Sequence, residues 1–166
     1  SMGSRKRLEE VQKHGARLGT LSEEFRSDVD IVLAAVRQSG FALKHAAECC
    51  RNNHEIVLAA VQCSGSALTY AAESCKSDRE IVLAAVRRPG MALRYAAENC
   101  KRDREIVRAA VLKHEWALQW AADELLDDVD FLPETRQRFY IVKVASAGHG
   151  TAHHGHCCSS RSYQGG

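Results

Sequence analysis

The apolar positions of this chain fall at helical spacing, and the whole pattern recurs every 25 residues. Residues 78–102 read DREIVLAAVRRPGMALRYAAENCKR; the preceding 53–77 read NHEIVLAAVQCSGSALTYAAESCKS and match at 16 of 25 positions. Aligned on this period, the copies are 28–52, 53–77, 78–102 and 103–127. A worn copy at 3–27 keeps Val11, Gly15, Leu18 and Glu23 in register, and DVDFL at 128–132 begins another. A fixed period of this size is the signature of stacked repeats.

Each copy reads as two short helices. In the third, Asp78 or Ser77 supplies an N-cap oxygen, Glu80 suits the positive end of the helix dipole, and Ile81, Val82, Ala85 and Val86 form an apolar stripe. Pro89 and Gly90 are expected to stop this helix, since proline cannot continue it and glycine accepts the left-handed conformation. A second helix is predicted from Met91 to Asn99, with Leu93, Ala96 and Cys100 on one face. Helices of about ten residues fall short of the ~12–15 at which an isolated helix becomes marginal in water. Stacking buries what one copy cannot, so stability becomes a sum over copies and their interfaces. The paired alanines, such as Ala34-Ala35 and Ala46-Ala47, keep side chains small where backbones come close.

The expected fold is all-α: two-helix repeats of 25 residues stacked as an α-solenoid, followed by a short strand-like or irregular C-terminal segment. Residues 1–27 form a degenerate capping repeat, 28–127 the four full repeats, 128–147 a C-terminal capping segment and 148–166 a disordered His/Cys-rich tail. The strand-like stretch is RFYIVKVAS at 138–146; it could cover the open end, pair between chains, or begin a further domain. Arg108 stands where three earlier copies have Leu33, Leu58 and Leu83, a charge placed where no full copy follows.

The pattern D-x-E-I-V-L-A-A-V-x-x-x-G-x-A-L-x-x-A-A-E resembles a tandem repeat family known only as domain of unknown function number 4116. The likeness covers residues 28–127 well and 3–27 weakly, implies a helical array, and carries over no catalytic residue. A more distant likeness is to leucine-rich variant repeats, whose regular Asn-Pro turn is missing here.

Charge and composition narrow the function classes. The net charge is +2, and residues 28–127 hold 13 basic and 14 acidic side chains, a balance that disfavours nucleic acid as partner. No apolar run is long enough for a membrane span, and Ser1-Met2-Gly3-Ser4 reads as a cloning remnant rather than a signal peptide. Seven cysteines without a disulfide-scaffold pattern point to a reducing intracellular compartment, the cytoplasm.

Candidate chemistry is sparse. Cys50, Cys75 and Cys100 lie one repeat apart, with Phe25 and Leu125 at the same position in the end copies, as a buried core position would allow. Packed helices at ~8–10 Å stand too far apart for a disulfide between such positions. In the tail, His153, His154, His156 and Cys157 are weak candidate metal ligands without a folded loop's spacing. His54-Glu55 and His114-Glu115 have Leu58 and Leu118 where a zinc-protease helix needs its second histidine. Phosphate loops and serine elbows are missing from the sequence; a non-enzyme without cofactor is expected. The row Glu48, Glu73, Glu98 and Asp123 reads as a solvated repeated carboxylate.

One row is suited to recognition. His45, Tyr70, Tyr95 and Trp120 share a repeat position, on a helical wheel about 130° from the core face. Near them stand Phe41, Ser66, Met91 and Trp116, and the side chains of Lys44, Arg94, Arg87 and Arg88. Aromatic residues with interleaved bases suit a protein or peptide partner, since Tyr, Trp and Arg dominate interface energetics. Packing between repeats is the competing account. A single-stranded nucleic-acid reader stacking bases on Tyr70 and Tyr95 is a rival function, and an accessory or oligomerisation segment another.

Overall fold

Every full copy opens on an Asp or Asn that caps its long helix. In the computed structural model, which describes residues 2–88 and 91–126, the Asp78 carboxylate accepts the N–H groups of Glu80 and Ile81 at 2.9 and 3.1 Å. Asp28 and Asp103 repeat the arrangement, and the Asn53 side chain accepts the Ile56 N–H at 3.2 Å. The long helices are Val29–Gln38, His54–Cys63, Arg79–Val86 and Arg104–Lys113, after Met2–Lys13 in the worn copy. Arg79–Val86 is shorter because Pro89 disfavours helical backbone at Arg88. The chain is all-α, with no strand among the described residues.

The predicted second helix is instead two elements with a break between them. A 3-10 helix, Gly40–His45, is followed by the single α-turn Glu48–Arg51, with Ala46 and Ala47 extended at φ −67°, ψ 150° and φ −63°, ψ 160°. The same break separates Gly65–Tyr70 from Glu73–Lys76, Ala92–Tyr95 from Glu98–Lys101, and Glu115–Trp120 from Asp123–Leu126. Its cause lies in the neighbouring copy. Freed from the helix, the Ala47 N–H donates to the Arg26 carbonyl at 2.9 Å, and Ala72, Ala97 and Ala122 donate likewise to Arg51, Lys76 and Lys101. A continuous helix would keep these N–H groups within its own copy; the break spends them on the stack.

Glycine's role also differs from the prediction. Pro89 and Gly90 lie outside the described residues, but the equivalent Gly40 and Gly65 show no left-handed backbone. What forbids a side chain is approach: a Cβ on Gly40 would stand 2.5 Å from the Ala60 carbonyl oxygen, and one on Gly65 would collide with that of Ala85. Gly15 faces Ala35 in the same way, also at 2.5 Å. Each glycine thus admits the long helix of the following copy.

Long helix packs on long helix from copy to copy, and the 3-10 helices pack on one another with the α-turn Ala92–Tyr95 in their place in the third copy, the one-turn helices bracing the next long helix. The core between them is wholly apolar: Ile56, Val57, Ala60, Val61 and Leu68 are fully buried, as are their equivalents in neighbouring copies to within a few per cent. Cys50, Cys75 and Cys100 belong to this core. Leu33, Leu58 and Leu83 pack against it half-buried, whereas Arg108 is exposed. The segment 128–147 and the tail 148–166 lie outside the described residues.

Candidate functional site

Burial decides what the cysteines are. Cys50 is 1% exposed, and burial, followed by the adjacent Cys49 and Asp28, pushes its thiol up to about 11. Burial likewise raises Cys75 and Cys100. The Cys50 and Cys100 sulfurs lie 3.5 Å from the Ser27 and Ser77 carbonyls. These are packing thiols, and Cys49 and Cys63 are exposed and free. Among the described residues no group of His, Cys, Asp or Glu could hold a metal ion, and His153, His154, His156 and Cys157 fall outside them.

The carboxylate row Glu48, Glu73, Glu98 and Asp123 is exposed. Glu73 and Glu98 pair with Lys76 and Lys101 at 2.7 and 2.8 Å, and the bond from Lys101 lowers the Glu98 pKa. Further ion pairs join copy to copy where the long helices begin. Arg79 meets Asp103 at 2.9 Å and also Glu105; His54 lies 3.7 and 3.6 Å from Asp78 and Glu80; Arg102 reaches Glu124 at 3.1 Å.

The aromatic row occupies the 3-10 side of the stack, half-buried rather than pointing away from the core as the helical wheel implies. Tyr70, Tyr95 and Trp120 pack one edge against the core, each the last residue of a short helix, 3-10 for Tyr70 and Trp120 and a single α-turn for Tyr95, that ends at the extended Ala-Ala step. Tyr70 meets Phe41 of the preceding copy edge-on, ring centres 6.4 Å apart. His45 covers Gly19, where a Cβ would lie 2.8 Å from its ring. Trp120 and Trp116 lie 5.7 Å apart, His114 stands 6.1 Å from Trp116, and the Arg94 guanidinium sits 5.9 Å from the Tyr95 ring centre.

Around this half-buried row the neighbours are open to solvent. Lys44, Arg87, Arg88 and Arg94 are exposed, and so are Phe41, Met91 and Trp116. Met91, Trp116, Trp120 and His114 line a small, open apolar dimple together with Leu93 and Ala117. It is too shallow to enclose a small molecule, so a ligand would lie against it rather than enter it.

Residues 11–49 and 53–101 match the family described as a domain of unknown function (DUF4116). The chain belongs to this family. The second match spans copies two and three almost end to end, so the DUF4116 unit corresponds to a pair of 25-residue copies. No curated protein and no solved structure matches the chain. Among the described residues of this DUF4116 chain, no helix is long and apolar enough to cross a membrane.

Sequence reasoning missed several exposed residues at the ends of the long helices: Leu112, 79% exposed, and the cations Arg37 and Lys113. Glu115 stands, exposed, where other copies have the approach glycine.

Proposed function

We propose that this DUF4116 chain is a non-enzymatic α-solenoid module that binds protein or peptide along its 3-10 side. The observation that carries this reading is the placement of exposed apolar groups. Of the five large apolar side chains left exposed among the described residues, Phe41, Met91 and Trp116 share one repeat position at the start of the short-helix segment, while Val29 and Leu112 lie at the two ends of long helices. Scattered exposed leucines need no explanation, whereas a concentration of them beside aromatic residues and arginines has the composition of a binding surface. The half-buried rings of Tyr70, Tyr95 and Trp120 fix the surface to the core, so it is preorganised.

The test is selection from a displayed peptide library, comparing the wild-type chain with Phe41→Ala/Met91→Ala/Trp116→Ala. Recurrent peptides should emerge for the wild type alone, and their binding should shift the emission of Trp116 and Trp120, the chain's two tryptophans. Helicity should be the same in both proteins, since all three side chains are exposed. Failure to enrich any peptide, or equal binding by the variant, would refute the reading.

A further inference from the structure

The charge balance of −1 over the repeats conceals a segregation. The five segments that run from the end of a long helix through the following 3-10 side, residues 12–20, 37–45, 62–70, 87–95 and 112–120, hold eight Lys or Arg and one acid, Glu115. All eight cations are exposed, six of them in the full copies: Arg37, Lys44, Arg87, Arg88, Arg94 and Lys113. The rest of the described chain holds 11 cations against 16 acids. There the charges meet each other, Arg79 with Asp103 and Glu105, Lys76 with Glu73, Lys101 with Glu98, Arg102 with Glu124. Among the described residues none of the eight cations of the 3-10 side is ion-paired.

Unpaired cations of one sign on segments that also expose Phe41, Met91 and Trp116 specify a ligand by complementarity. We propose that the partner of these segments is an acidic peptide carrying one apolar anchor, the anchor lying against the exposed Met91 and Trp116 and its carboxylates meeting the exposed cations of the same segments. The proposal rests on the peptide-binding reading and adds the partner's chemistry to it. Like-signed fields steer an oppositely charged ligand and reject a cationic one. A peptide is favoured over single-stranded nucleic acid by the rings themselves. Tyr70 lies edge-on to Phe41 and Trp120 is packed against Trp116, so the rings are engaged with one another and with the core. Base stacking needs a free face on successive rings.

The experiment titrates the full chain, followed by tryptophan emission, with three synthetic peptides that share one Phe-Leu anchor flanked by glutamates, glutamines or lysines. The glutamate peptide should bind at least about tenfold more tightly than the glutamine peptide, with the gap narrowing as salt rises, and the lysine peptide should not bind. Replacing the anchor by alanines should abolish binding. The variant Arg87→Glu/Arg88→Glu/Arg94→Glu should lose the glutamate peptide at unchanged helicity. Equal affinity for the glutamate and glutamine peptides, or undiminished binding without the anchor, would overturn the proposal. So would an oligouridylate that binds more tightly than the glutamate peptide, which would make the side a nucleic-acid surface. If none of the three peptides binds while library-selected peptides do, the acidic partner is wrong and the peptide-binding module stands; if neither binds, both fall.

Discussion

Where each long helix begins, neighbouring copies agree and their charges meet; where it ends, the copies diverge and their charges do not. At the starting edge the cap is Asp28, Asn53, Asp78 and Asp103, and two residues on stand Asp30, Glu55, Glu80 and Glu105. On the 3-10 side one position holds Phe41, Ser66, Met91 and Trp116, and another Lys44, Thr69, Arg94 and Gln119. Residues repeated in every copy serve the contact between copies, because that contact has the same geometry each time. Positions that face solvent can differ, even where a ring such as Phe41 also touches Tyr70 of the next copy, and there the chain exposes apolar and cationic groups together.

The comparison breaks first in the core that both sides share. Leu68→Ala should lower unfolding free energy by about 2–5 kcal/mol, as large-to-small core changes do, whereas Leu112→Ala on the exposed side should leave it within about 0.5 kcal/mol. Chemical denaturation measures both. Next in size is the approach glycine: Gly40→Ala drives a Cβ into the Ala60 carbonyl and should cost about 1–3 kcal/mol, while Ser66→Ala beside the equivalent Gly65 should stay within about 0.5 kcal/mol.

Removing a cap tests the starting edge alone. Asp103→Ala should cost about 0.5–2 kcal/mol. Burial raises the Asp103 pKa, but the N–H groups of Ile106 and Glu105 together with Arg79 outweigh it and hold the carboxyl below its usual value. Its contribution is therefore complete above the unfolded carboxylate pKa of about 4 and is lost as the pH falls through the lower folded value. Melting temperature should drop more steeply between about pH 5 and pH 2 in the wild type than in Asp103→Asn. The smallest expected change is none. In the native chain Cys49 and Cys63 should react with a thiol reagent promptly, while Cys50, Cys75 and Cys100 should react only on unfolding; early loss of the ladder thiols would show that the stack opens locally.

Much of the repeat unit was legible before any coordinates. The 25-residue period, the Asp78 cap, the stripe Ile81, Val82, Ala85 and Val86, the buried Cys50 ladder and the exposed Arg108 all follow from local spacing and from comparing equivalent positions. The broken second helix was not legible. Ala46-Ala47 favours helix by propensity, and the hydrogen bond from Ala47 to Arg26 that wins over it comes from another copy. The wheel that turned the Tyr95 row away from the core inherited the same error, since it assumed a continuous α-helix. The basic side was hidden by summing charge along the chain; counting by position within the copy brings it out.

By itself the sequence determined a helical array, its period, the start of each long helix and the positions of its core, because caps and apolar stripes act over a few residues. Only the tertiary structure decided how the rest of each copy is spent. Gly40 meets Ala60 and Ala47 meets Arg26 across about twenty residues of chain, so the role of each was fixed by the neighbouring copy rather than by its own surroundings in sequence. The same stacking sets Arg79 against Asp103 and leaves Arg87, Arg88 and Arg94 exposed, as it does Met91 and Trp116.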